Sequence, residues 1–205
     1  MADYPTALDP LLDNEDGKNR HWFYESNKEA EATGDTGKET VHGISRKNWP
    51  TWPGWLLVDA ARTQPNFPKS LLTNPDLMPL VQTFYHDHFW EPICGDQINS
   101  QNLATQALDM AVNAGTEEAV LLLQRSVNFV DNCLKEDGQM GPVTLGTVNR
   151  LCFSVVNGLA LIHRWLDLRR AFYHALADRL AANGSPEAKD LPVWLARCVV
   201  PGLDY

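Results

Sequence analysis

Hydrolysis of a glycosidic bond needs a carboxylic acid to protonate the departing oxygen. It usually also needs a second group that handles water or the oxocarbenium charge. Glu15 is placed to be such an acid, because it ends an amphipathic segment and a long polar loop follows it. By itself an isolated Glu is most often a solvated surface residue. The loop then reads Gly34-Asp35-Thr36-Gly37-Lys38-Glu39-Thr40-Val41-His42-Gly43-Ile44-Ser45, with carboxylates, hydroxyls, an imidazole and three glycines. Glycines permit tight turns and close approach to a ligand, although a plain surface hairpin has the same composition. Asp35 is suited to orienting water or stabilising positive charge, or to bonding its own backbone in a turn. Thr40 could hold a water through its hydroxyl, or be a strand residue with no role. His42 is a candidate substrate contact, with a packed or surface imidazole as the plainer alternative.

Other residues suggest chemistry less directly. Trp49, Trp52 and Trp55 could stack on sugars or fill a core. Asn113 could bond an N-acetyl group or be a satisfied buried amide. His86-Asp87-His88 superficially suggests metal ligands, but the alternating positions and the lack of a companion cluster argue against a site. Cys94, Cys133, Cys152 and Cys198 fit no CxxC spacing; buried free thiols are expected, with a disulfide formed after export as the alternative. No metal and no cofactor is therefore expected.

These residues need elements to hold them. Ala7, Leu8, Leu11 and Leu12 share one face at helical spacing, predicting a short helix over about 6–14, with Pro10 confining its regular part. Gly17 suits a left-handed cap after it. Residues 18–40 form a long polar loop or short hairpin, a length usually tied to function or mobility. Further helices are predicted over 80–90, 102–114 (with Gly115 just past its end) and 117–127, the last with Thr116 as its N-cap. Another opens at Gly141-Pro142. A long apolar helix over 153–182 is expected to break near Gly158, and a short one covers 192–199. Strand signals are scarce, with at most a small sheet or β-hairpin near 20–45. The fold class expected is mainly α.

The chain has 205 residues and a hydrophobic fraction of 44%, enough for a sizeable core. Its longest apolar run is far below the ~20 residues that a membrane span needs, so no stable membrane insertion is expected. The net charge of −9 makes nucleic acid an unsuitable partner, because phosphate binding needs clustered Lys and Arg. No Pro/Gly/Ser-rich linker divides the chain.

The order of Glu15, then Asp35-x-Gly37-x-x-Thr40-x-x-Gly43-Ile44-Ser45, resembles glycoside hydrolase family 108. These are lysozyme-like muramidases found in phage endolysins and secretion-linked wall hydrolases. That family reads E-G-G-Y followed by D-P-G-G-A-T-x-x-G-I-T. The likeness continues in Phe84-Tyr85-x-x-x-Phe89-Trp90 and in Leu108-Asp109-Met110-Ala111-Val112-Asn113-Ala114-Gly115. It extends to Asp137-Gly138-Gln139-Met140-Gly141-Pro142-Val143-Thr144-Leu145, which is similar to the adjoining peptidoglycan-binding region. Two departures stand out. E-G-G-Y is Glu15-Asp16-Gly17-Lys18 here, which sets a second carboxylate beside the acid. The interval from Glu15 to Asp35 is about ten residues longer than the motif implies; it carries His21-Trp22-Phe23-Tyr24, expected to supply an aromatic wall.

The resemblance implies a lysozyme-like catalytic region over 1–90, and a helical, peptidoglycan-binding-like region over 91–205 packed against it. It implies a muramidase that cleaves the β-1,4 bond between N-acetylmuramic acid and N-acetylglucosamine. Glu15 would be the acid, Asp35 and Thr40 would assist water, and His42, Tyr85, Trp90 and Asn113 would contact substrate. The alternative is a non-catalytic wall-binding or secretion-assisting protein on the same fold. The partner expected is bacterial peptidoglycan. The N-terminus, Met1-Ala2-Asp3-Tyr4-Pro5, lacks a basic n-region and an apolar h-region, so no signal peptide is expected. Synthesis in the cytoplasm and action in the periplasm or wall would then depend on release through a holin or export by a secretion system.

Overall fold

The computed structural model describes residues 1–16, 23–26, 39–200 and 203. The architecture is mainly α, with one small antiparallel sheet among the described residues. The chain divides into two compact units: one is Leu8–His88, and the other joins Met1–Ala7 to Phe89–Tyr205.

Helix α1 (Tyr4–Asp16) begins in the second of these and ends in the first. Asp3 caps its start, accepting from the Thr6 backbone N–H at 2.9 Å and the Thr6 hydroxyl at 2.6 Å. These bonds hold the Asp3 carboxyl below its ordinary range. The helix runs through Pro10 instead of being confined by it. A mid-helix proline costs about 3 kcal/mol, whereas burying a leucine stabilises by about 1.5–3 kcal/mol. Leu8, Leu11 and Leu12 are all buried, so the apolar stripe wins. The expected cap Gly17 lies outside the described residues.

In the Leu8–His88 unit, three two-residue strands form a sheet in the order β1 (Tyr24–Glu25), β2 (Thr40–Val41), β3 (Ile44–Ser45). Tyr24 pairs with Val41, and Thr40 pairs with Glu25 on one side and Ser45 on the other. Val41 and Ile44 are buried on this sheet. Helices α2 (Gly54–Ala61) and α3 (Leu77–Tyr85) complete the unit. Its aromatic core settles the tryptophans: Trp52 and Trp55 are buried and meet edge to face at 5.1 Å. The Trp55 indole N–H donates to the Trp49 carbonyl at 2.7 Å. Trp49 packs on Phe84 and His88, at 4.9 and 4.5 Å between ring centres. Trp52 and Trp55 build core, as large aromatic surfaces usually do, whereas Trp49 stays half-buried.

The other unit is a helical assembly of α4 (Gln101–Ala114), α5 (Thr116–Val130), α6 (Pro142–Phe153), α7 (Val155–Ala182) and α8 (Leu191–Ala196). Helix α4 packs on α5, and α7 packs on α5, α6 and α8. Ser100 caps α4 through a bond from the Leu103 N–H at 3.3 Å. Thr116 lies inside α5 and is not its cap; Gly115 takes that position without a side-chain bond. The expected break near Gly158 falls at Ser154, whose hydroxyl caps α7 by accepting from Asn157 N–H at 3.4 Å. A competent N-cap with extended backbone ends one helix and starts the next, while Gly158 stays within the helix.

The Asp137–Thr144 motif is held by a buried amide. Gln124 Oε1 accepts from the backbone N–H groups of Asp137 and Gly138, both at 2.9 Å. Its Nε2 donates to Asp137 Oδ1 at 2.9 Å and to the Gln139 carbonyl at 3.1 Å. Gly138 has φ +69°, and a Cβ there would meet Glu117 Cγ at 2.6 Å, so glycine is required. All four cysteines are free, but Cys198 is the one that is buried, and Cys133 is exposed. Burial pushes the Cys198 and Cys152 thiols up.

Candidate functional site

The last turn of α1 and the β2–β3 turn bring together several of the residues singled out above. Val41 pairs with Ile44, leaving His42 and Gly43 as a two-residue hairpin loop. Both have positive φ, +46° and +77°, the signature of a type I′ turn. Left-handed backbone costs a residue with a side chain about 1–2 kcal/mol, although His is among the types enriched there. Gly43 is exposed. A Cβ on it would lie 2.8 Å from Glu15 Oε2, 3.1 Å from Glu15 Cγ and 2.5 Å from the Tyr85 hydroxyl. The bare glycine therefore lets the half-buried Glu15 carboxylate lie directly on the turn.

Asp16, next in sequence, goes the other way. Consecutive helical residues are about 100° apart around the axis, so a part-exposed Glu15 turns its neighbour inward. Asp16 is fully buried at 0% exposure, and its Oδ2 lies 2.6 Å from Nδ1 of His42, itself 1% exposed. Asp16 Oδ1 has no partner among the described residues. The His42 backbone is held too: its N–H donates to the Phe23 carbonyl at 2.7 Å. Its carbonyl accepts from the Tyr85 hydroxyl at 2.7 Å. The Phe23 ring packs on the imidazole at 5.7 Å between ring centres.

Beside the sheet lies a second polar cluster. Glu39 is buried and accepts from the Tyr24 hydroxyl at 2.9 Å. Its carboxylate also pairs with Arg46, at 2.6 Å, and with Arg62. Arg46 forks onto Asp59 at 2.7 and 3.1 Å, bonds that hold the Asp59 carboxyl below the usual range. The Arg46 guanidinium also lies 4.3 Å over the Trp55 ring. Burial, reinforced by the bond to Glu39, pushes the Tyr24 hydroxyl up to about 12.

The expected site residues divide as follows. Glu15, His42 and Tyr85 meet around Gly43. Thr40 sits one strand residue before, half-buried and paired with Ser45. Asp35 lies outside the described residues. His42 and Tyr85 were expected to touch substrate, but both are buried and spend their polar groups on Asp16 and on the turn backbone. Trp90 is likewise closed off in the helical unit, at 0% exposure; its indole N–H bonds Asp96 at 2.8 Å and its ring packs on Tyr4. A side chain without exposed surface has no face to offer a sugar, so these residues support the fold from within. Asn113 is exposed, and its amide donates to the Asp109 carbonyl one turn back at 2.7 Å. His86 bonds the adjacent Asp87 at 3.0 Å, whereas His88 packs on aromatic rings, so the two imidazoles do not converge.

Sequence reading missed the Asp16–His42 pair and the anchoring of Glu39. The signals were present in the added carboxylate after Glu15 and the His-Gly step between strand residues. Their pairing needed three-dimensional placement.

The β2–β3 turn on which Glu15 lies belongs to a segment that matches a known family. Residues 25–115 match the family model of glycosyl hydrolase 108. The motif resemblance to family 108 is therefore borne out over a segment that holds Thr40, His42, Gly43, Tyr85, Trp90 and Asn113, and that begins downstream of Glu15. Among curated proteins no relative matches. Among solved structures the chain is similar to one titled "Structure of Brucella abortus SagA", with 19% identity and a TM-score of 0.54, covering 98% of each chain. At that identity the likeness is one of fold.

Proposed function

We propose that the chain is a peptidoglycan hydrolase, an N-acetylmuramidase that cleaves the β-1,4 bond between N-acetylmuramic acid and N-acetylglucosamine. One observation carries the reading. The Glu15 carboxylate, from outside the family 108 segment, rests on Gly43 of that segment's Gly43-Ile44-Ser45 motif. Glu15 protonates the leaving oxygen from a helix end, a rigid base for a proton donor. Asp35 and Thr40 assist the attacking water. Asn113 is the exposed member of the expected substrate contacts, and its amide suits an N-acetyl group. His42 and Tyr85 act from behind the β2–β3 turn, and Trp90 is buried within the helical unit. No cofactor takes part.

The substrate is bacterial peptidoglycan, reached beyond the cytoplasm through a holin or a secretion system. Among the described residues no helix is long and apolar enough to cross a membrane. The rival is a non-catalytic wall-binding or secretion-assisting protein. The burial of Asp16 favours the enzyme, since the extra carboxylate does not share the space of Glu15.

The test is mass spectrometry of purified sacculi digested by wild type and by Glu15→Gln. Fragments ending in reducing N-acetylmuramic acid are expected from wild type. Glu15→Gln should lower the rate about 10²–10⁴-fold, the usual worth of a positioned acid. Reducing-end N-acetylglucosamine would make the protein a glucosaminidase. Wall binding without any release by wild type would install the rival.

A further inference from the structure

The site contains more fixation than a surface hairpin needs. His42 occupies a left-handed conformation at φ +46° and is bonded from three directions: imidazole to Asp16, N–H to Phe23, carbonyl to Tyr85. The following residue is Gly43, on which Glu15 lies. Asp16 belongs to the same last turn of α1 as Glu15. One short bond thus joins the helix end that carries the carboxylate to the turn that receives it. Fixing Asp16 fixes the rotation of that helix end, and with it the direction of Glu15.

We propose that Asp16 and His42 are a positioning pair. Their buried bond holds the β2–β3 turn against the end of α1, and so sets the Glu15 carboxyl over Gly43 in its working geometry. The inference rests on the reading of Glu15 as the acid. A buried ionic or hydrogen-bonded pair is a poor device for stability alone, because apolar residues of similar volume do as well or better. What it supplies is a directional contact of fixed length and angle. Strained backbone beside a part-exposed carboxylate is where such a constraint matters, since a misplacement of about 1 Å can cost 10²-fold in rate.

The test uses the whole chain and two variants. Asp16→Ala/His42→Asn removes the bond without leaving a buried charge unpaired, and Asn keeps the turn, since Asn-Gly is the preferred pair for this hairpin. Asp16→Asn keeps a weaker hydrogen bond to the imidazole and is the conservative rescue. Two readouts are taken: the nuclear Overhauser contact between Glu15 Hγ and Gly43 Hα, and kcat and KM on soluble glycan strands. The double variant should lose the contact and drop kcat about 10–100-fold, with KM within about twofold; Asp16→Asn should keep the contact and most of kcat. Survival of the contact in the double variant would overturn the proposal, as would its loss with kcat intact. If wild type cleaves no glycan, the hydrolase reading fails and the contact alone decides whether the pair positions Glu15.

Discussion

Each of the two units buries a polar side-chain pair, and the two pairs are built differently. In the helical unit, Arg169 donates to Gln106 at 2.7 Å, to the Tyr173 hydroxyl at 3.0 Å and to the Arg197 carbonyl at 3.3 Å, and it pairs with the Asp109 carboxylate. Arg197 reaches the same carboxylate at 3.4 Å. The network ties α4 to α7 and to the residue that follows α8, and its members on α4 and α7 have helical backbone. The Asp16–His42 pair is a single 2.6 Å bond with one carboxylate oxygen unpartnered among the described residues, at a left-handed turn under a part-exposed glutamate. Burial of polar side chains is common to both and does not mark function. Strain and an adjacent solvent-facing carboxylate belong to one of them, and strain persists where the surroundings over-determine it.

The largest stability effect is expected at Arg169. Removing one partner of a buried pair strands the other charge and costs about 3–5 kcal/mol. Arg169→Met should therefore shift the urea midpoint strongly; a loss below about 1 kcal/mol would mean that the helical network does not anchor its unit.

A smaller stability loss with a larger kinetic one is expected at Gly43. In Gly43→Ala the left-handed backbone costs about 1–2 kcal/mol. The new Cβ would press on Glu15 Oε2, 2.8 Å away, and on the Tyr85 hydroxyl. Parallel urea melts and sacculus-digestion rates would check this. Unchanged digestion would show that the approach of Glu15 to the turn is dispensable, and would erase the contrast between the two units.

The Glu39 cluster is the intermediate case, buried at its carboxylate and part-exposed at its arginines. Its signature is a pH window. The Tyr24 hydroxyl is raised from 10.0 to about 12 in the folded chain. The folded state therefore binds the proton more tightly than the unfolded state. That contribution is complete below about pH 10 and lost as pH rises through about 12. Tyr24→Phe should flatten this part of the stability curve and change little at neutral pH. An unchanged alkaline slope would place the titration elsewhere.

Much of the helical architecture was legible in the sequence because amphipathic periodicity reports burial directly. The helices over 101–114 and 142–153, and the scarcity of strand, follow from such local signals. Errors arose where two local signals competed. Pro10 argues against the helix that the leucine stripe around it builds, and Gly158 argues for a break that the capping hydroxyl of Ser154 sets instead. Of the site, the resemblance to family 108 was readable from motif order, and its segment is matched over residues 25–115.

Local signals in the chain set the helical class and the stop of α4 before Gly115, and they supply the residue types from which a site could be built. These depend on interactions within a few positions of the chain. Tertiary structure alone decided what those residues do with one another. Asp16 and His42 are 26 positions apart and Tyr85 lies 43 beyond His42. No periodicity encodes which way a side chain turns when contacts at that separation compete for it. About 100° of helix rotation separates the half-buried Glu15 carboxylate from the Asp16 carboxylate buried against an imidazole, and only packing chooses between them.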